Sequence, residues 1–269
     1  MPPLPKLPPP SRQRWKRIPL PAALEREYAR ALLSVVDKEW ARLRSALARY
    51  LPPEGHEDAG EEPAPFAPGE LIAAFPEGSP MSPAAASSLA STIASQATAS
   101  HGRYFRRQFK EALGVEVREV KLSLARTTNA FVQSNVSLIR RLTEEAKQGL
   151  ARDMTAMVNE GIQPRQLEKL LRQRYEVTAR HAQFIAQDQM SKVYANLSQV
   201  RHQALGIEEY VWSTMRDGKV RARHQHREGK RFRYDTPPHE EAVDGHAGVP
   251  PRCRCWQRPY VTDLSALLA

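Results

Sequence analysis

The sequence predicts an α+β protein: an elongated, mostly helical N-terminal and middle region followed by a small C-terminal α+β module. Three observations carry that expectation. From residue 22 to residue 206, outside one Pro-rich interval, apolar side chains recur every three to four positions, the period of an amphipathic helix. At Ile207 this gives way to two-residue alternation, with Tyr210, Trp212 and Thr214 set against Val211, Ser213 and Met215, which marks a strand. Of the 22 prolines, 16 fall in residues 1–21 or 52–83, where a fixed φ and a missing N–H prevent regular helix or sheet.

Residues 1–21 are expected to form a Pro-rich basic tail, and residues 22–50 an amphipathic helix. That helix carries Leu24, Tyr28, Leu32, Val35, Val36, Leu43 and Leu47 on one stripe; Pro21 suits its first turn and the Pro52-Pro53 pair ends it. Charge divides with the proline. Residues 1–50 hold 11 basic and 4 acidic side chains, residues 51–80 hold 7 acidic and no basic ones, and the whole chain is +10. Arg12, Arg14, Lys16 and Arg17 are candidate nonspecific contacts to nucleic acid, since Lys and Arg beside phosphates release counterions without reading sequence. With Trp15 as its lone aromatic, the arm lacks the stacking platforms of single-strand binders, which favours a tether or a protein-docking role. The stripe from Leu24 to Leu47 is then a candidate docking face.

Residues 51–83 read as an acidic Pro-rich linker, and residues 84–206 as a helical region. Ser82-Pro83 opens an Ala-rich and Ser-rich helix whose thin apolar face needs a neighbour. A second stripe runs through Phe131, Val132, Val136, Ile139, Leu142, Ala146, Leu150, Met154, Met157 and Val158 to Gly161. Gln163-Pro164 starts a short helix through Leu167, Leu170 and Leu171, and Thr178 begins another that Gly206 closes. Such striped helices are scaffold, and His181, His202 and Asp188 on them receive no catalytic role. Residues 207–269 form the C-terminal module: a strand, a turn at Asp217-Gly218, a second strand in K-R-F-R-Y, and an irregular stretch ending in C-R-C-W-Q-R-P-Y.

The chain of 269 residues has room for one large domain or two small ones. It holds no apolar run of membrane-spanning length, and its basic N-terminus lacks the apolar segment of a secretory leader. Cys253 and Cys255, two positions apart, cannot staple distant parts of a fold, so a reducing cytosol is expected.

The segment W-S-T-M-R-D-G-K-V-R-A-R-H (212–224), the following E-G-K-R-F (228–232) and the terminal C-R-C (253–255) with a proline soon after resemble the signature of the phage head morphogenesis family, the Mu F-like minor head proteins of tailed bacteriophages. N-E-G-I-Q-P-R-Q-L-E-K-L-L (159–171) and R-H-A-Q-F-I-A-Q-D-Q (180–189) are similar to the helical run ahead of it, so the likeness covers about residues 129–260. It departs from the pattern at Asp188-Gln189 and at Arg227-Glu228. On this resemblance Trp212, Thr214, Asp217, Arg221, His224, Gly229, Phe232, Cys253 and Cys255 form the motif. It implies a structural protein rather than an enzyme, made in the host cytoplasm and built into the virion. Its expected partners are the portal and other head proteins, with nonspecific contact to phage DNA.

Two chemical readings of the motif remain beside a purely structural one. His224, Cys253 and Cys255 are borderline or soft ligands that could hold a structural zinc, with His226, His239 or His246 as a fourth ligand. Asp217, Arg221, His224 and His226, among eight basic residues from Arg216 to Arg233, could instead serve a nuclease or toxin-like enzyme. In the structural reading, Asp217 and Arg221 pair across a turn, Trp212 and Phe232 fill the core, Cys253 and Cys255 sit in a strand, and His224 bonds Asp217 or a carbonyl.

Overall fold

The apolar periodicity closes into six α-helices and a three-stranded sheet among the residues that the computed structural model describes, 7–52, 65–117, 121–157, 161–240 and 244–263. In chain order these are α1 (Ala22–Ala46), followed by a 3-10 turn at Ala48–Tyr50, then α2 (Pro68–Ala73), α3 (Pro83–Leu113), α4 (Lys121–Thr155), α5 (Pro164–Ala204), β1 (Glu209–Ser213), α6 (Ala222–Arg227), β2 (Arg231–Arg233) and β3 (Trp256–Pro259). The fold is thus α+β and mostly helical. Val158 and residues 53–64 of the acidic linker lie outside the described residues.

The described residues of 27–88 and 134–186 form one compact unit, and those of 1–26, 89–133 and 187–269 form another. In the first, the α1 stripe is its own core: Tyr28, Leu32, Val35, Val36, Leu43 and Leu47 are buried, with Ile139, Leu142, Leu150 and Met154 of α4 and Leu167 and Leu171 of α5. The stripe is therefore not a docking face for another protein. Two of its polar members are satisfied internally. Tyr28 donates its hydroxyl to Asn135 Oδ1 at 2.6 Å, and Trp40 Nε1 donates to the Leu171 carbonyl at 2.9 Å. Buried Lys147 donates to the carbonyls of Pro76 and Gly78 and sits 3.7 Å from the buried Glu39 carboxylate. Beyond residue 64 the chain is tied in by an antiparallel bridge, Phe66 to Ile162, next to Gly161 at φ +69.

The second unit has two apolar clusters. Phe105, Phe109 and Leu113 of α3 gather with Val115, Val117, Leu205, Ile207 and Val261, and Leu7, Trp15 and Ile18 pack against them. The described residues before α1, 7–21, hold no helix or strand, as their prolines require, yet they are packed. Trp15 meets Phe109 edge-on at 4.9 Å, and buried Gln13 donates to the Val261 carbonyl at 2.8 Å. Proline excludes regular hydrogen-bond ladders but not burial. The other cluster joins Tyr210 and Trp212 of β1 with Tyr234, Ala247, Cys253 and Cys255. The antiparallel sheet has the order β2-β1-β3, with Tyr210 opposite Phe232 on one side and Pro259 on the other.

Two local expectations are corrected, and one helix stands where no element was expected. The two helices expected in 164–206 are one, α5, because nothing between Leu171 and Thr178 breaks the turn. Thr178 Oγ1 donates back to the Arg174 carbonyl at 2.8 Å instead of capping a new helix. The residues after the Asp217 turn form helix α6. And Cys253 and Cys255 are not strand residues; they precede β3, whose Pro259 is tolerated because β3 is an edge strand.

Gly248 is a position where the packing forbids a side chain. Its φ is +90, and a Cβ there would lie 2.9 Å from Ala195 Cβ and 3.1 Å from the Cys255 carbonyl. Gly248→Ala is expected to lower stability by at least about 1–2 kcal/mol from the left-handed backbone alone. Chemical denaturation of the variant measures it; an unchanged midpoint would contradict this packing.

Candidate functional site

Trp212 anchors the site. On a strand buried on both faces it has no solvent exposure, and its ring meets Phe232 at 5.6 Å and His224 at 5.1 Å, both edge-to-face. The Arg227 guanidinium lies 5.0 Å from the same ring. Gly229, at φ +77, turns the chain so that its N–H donates to the Trp212 carbonyl, while the Trp212 N–H donates to the Lys230 carbonyl, both at 2.9 Å.

The loop between β1 and α6 is fixed by charge. The Thr214 N–H donates to Glu228 Oε2, and Arg216 Nη2 reaches Glu228 Oε1 at 3.0 Å. Asp217 pairs with Arg254 at 2.7 Å rather than with Arg221, and its carboxyl is held below the usual range chiefly by that hydrogen bond. Arg221 instead donates through Nη2 to the Pro251 carbonyl. Both contacts tie the Asp217 turn and the start of α6 to the chain around the C-x-C pair.

Helix α6 presents His224 inward, 1% exposed, with Nδ1 3.5 Å from Cys253 Sγ and 3.6 Å from Cys255 Sγ. Neither Asp217 nor a carbonyl is its partner. Both cysteines are free thiols and buried. The hydrogen bond from Cys255, with that to His224, holds the Cys253 thiol below its ordinary value, and the same shared proton pushes Cys255 upward. The ligand atoms of the three residues all lie within 4.8 Å of one another, and among the described residues they are the group that could hold a metal ion.

The other histidines named from the sequence stand apart from this cluster. His226 is exposed on α6, His239 Nδ1 is 3.1 Å from the Pro237 carbonyl, and His246 bridges the Tyr210 hydroxyl and the Tyr234 carbonyl, each at 3.2 Å. With His224 turned to the thiols, His226 outward, and Asp217 and Arg221 engaged elsewhere, the four residues of the nuclease reading do not converge. On the arm, Arg12 and Arg14 are exposed, Lys16 pairs with Glu111 at 3.3 Å, and Arg17 is half-buried beside Met215.

Two features escaped sequence reasoning. Arg227 is 4% exposed and forks onto Asp244, with Nη1 to Oδ1 at 2.7 Å and Nη2 to Oδ2 at 2.5 Å, and also reaches Glu240 at 2.8 Å. The Arg227 hydrogen bonds hold the Asp244 carboxyl down at about 2. Asp188, given no role from sequence, accepts the Arg252 N–H at 3.1 Å and pairs with Lys192 at 2.6 Å. It thereby fixes Arg252 at φ +56, one residue ahead of Cys253. An aspartate on a helix face carried no signal of this in the sequence; V-D-G-H-A-G, with its paired glycines, marked a tight loop and hence a place for a fixed carboxylate.

An all-helical scaffold that presents a small sheet with a His-Cys-Cys cluster is the class of arrangement at hand. Residues 148–258 match the family described as Phage Mu protein F like protein, which bears out the Mu F-like resemblance over that span. The chain is also 30% identical over 141 residues to an uncharacterised protein of Haemophilus influenzae, a stretch that is 52% of this chain and 31% of the relative. The chain thus spans under a third of the length of that relative. No solved structure matches it.

Proposed function

We propose that this chain is a structural minor head protein of a tailed bacteriophage. It would act in head morphogenesis near the portal and reside in the virion, with Arg12 and Arg14 available to DNA during packaging or ejection. The observation that carries the reading is the family match over residues 148–258. The character of the site supports it. The motif residues Trp212, His224, Cys253 and Cys255 are buried in a core, and the described residues present no convergent acid and base to solvent. Such a module offers surface and rigidity, the requirements of an assembly component, and binding partners would be portal and other head proteins. Among the described residues no helix is long and apolar enough to cross a membrane.

The test is mass spectrometry of purified particles from the phage or prophage that encodes the chain, with heads separated from tails. The chain is expected in the head fraction, and heads made without the gene are expected to be aberrant or non-infectious. Finding the chain only outside particles would overturn the reading, as would turnover of DNA or RNA by the purified protein that Asp217→Asn or His226→Ala abolishes.

A further inference from the structure

We infer that His224 Nδ1, Cys253 Sγ and Cys255 Sγ together ligate one zinc ion, with water in the fourth position. The inference goes beyond the proposed role in the head and does not depend on it. Zinc–sulphur bonds of about 2.3 Å and zinc–nitrogen bonds of about 2.0–2.1 Å at tetrahedral angles require a nitrogen-to-sulphur separation of roughly 3.5–3.6 Å. The two separations here are 3.5 and 3.6 Å. One nitrogen thus stands at the tetrahedral edge length from two sulphurs at once.

The burial of His224 points the same way. Its ring is 1% exposed, its Nε2 has no hydrogen-bond partner, and its Nδ1 meets two sulphurs, which are weak donors and acceptors. A buried imidazole so poorly hydrogen-bonded bears an uncompensated desolvation cost. A bond from Nδ1 to a metal offsets it. The donor set selects the ion: two thiolates and an imidazole suit zinc, whereas calcium and magnesium take oxygen.

The cluster is also held in place by contacts outside it. Arg221 grips the Pro251 carbonyl, Arg254 pairs with Asp217, Asp188 accepts the Arg252 N–H, and the Cys253 N–H closes a turn on the Pro250 carbonyl at 2.9 Å. These fix the approach of the C-x-C segment to α6 before any ion arrives. With His226, His239 and His246 all turned elsewhere, water takes the remaining place. The ion would join α6 to the chain just ahead of β3, and the thiol protons displaced on binding pass to solvent.

The full chain, expressed with zinc in the medium and purified without chelator, is expected to carry about one equivalent of zinc by elemental analysis. Cys253→Ser, Cys255→Ser and His224→Asn should each fall below roughly a tenth of that, while His226→Asn keeps it. A ligand variant that misfolds would lose metal trivially, so the parent chain supplies a second readout. After chelation and addition of cobalt(II), sulphur-to-metal charge transfer and the visible bands of tetrahedral cobalt should appear and be displaced by zinc. X-ray absorption of the zinc form should then show two sulphurs and two nitrogen or oxygen neighbours. Parent protein without zinc that also gives no such cobalt spectrum overturns the site, as does a spectrum that His224→Asn and both serine variants leave intact in a folded chain.

Discussion

Replacing Trp212 with Ala is expected to lower the unfolding free energy by about 3–5 kcal/mol, the range for truncating a fully buried aromatic. The indole has no solvent exposure and supports three neighbours at once: Phe232 of β2, His224 of α6 and the Arg227 guanidinium. A cavity here cannot collapse easily, because β1 is the middle strand and is hydrogen-bonded on both sides. Trp212→Phe, which keeps a ring, should cost less. Denaturant unfolding followed by far-ultraviolet circular dichroism reads both. An alanine variant within about 1 kcal/mol of the parent would show that the site is not built around this ring.

The second large effect is expected at Arg227 and Asp244. Asp244→Ala leaves a 4% exposed guanidinium without its forked partner and should cost about 3–5 kcal/mol, toward the lower end because Glu240 remains. The double change Arg227→Met with Asp244→Leu should cost clearly less than Asp244→Ala alone, since it removes both charges together. Equal losses in the single and double variants would mean that packing rather than charge is at stake. The pair also sets a pH response. Asp244 titrates at about 2 in the folded chain, below the ordinary aspartate value of 3.8, so its stabilisation is complete above about pH 4. It is lost as the pH falls from there toward 2. Stability of the parent should drop across that window more steeply than that of the double variant.

The helices were legible in the sequence because their stripes are long, and Leu24 to Leu47 or Phe131 to Met154 leave no other period to fit. The break assigned before Thr178 was misread for a physical reason: a threonine hydroxyl that can cap a helix can equally bond back within one, and only the packed structure decides. The strand at Tyr210 and Trp212 was legible from alternation. Strand β3 was not, since Trp256, Gln257, Arg258 and Pro259 have neither alternation nor propensity and are held by pairing with β1 alone. At the site, His224 and the two cysteines were nameable from residue type and order. Their mutual distances were not, and neither were the Arg227–Asp244 fork or the service of Asp188 to Arg252, because these depend on contacts across 17 and 64 positions. The arm was read as unstructured from its prolines, but Gln13 and Trp15 lie against surfaces that no local pattern encodes.

That last contact sets a clock on the molecule. Gln13 bonds the carbonyl of Val261, 248 positions later, and the cluster around Phe105 and Phe109 is completed by Leu205, Ile207 and Val261. At bacterial elongation rates roughly 10–50 s separate the synthesis of Gln13 from that of Val261. Until then Trp15, Phe105 and Phe109 lack the cover that Leu205, Ile207 and Val261 give them. The cluster is complete only once Val261 has been made. A chain halted at Gly206 would therefore not yield a smaller working part, but a nascent polypeptide with its first aromatic residues still waiting.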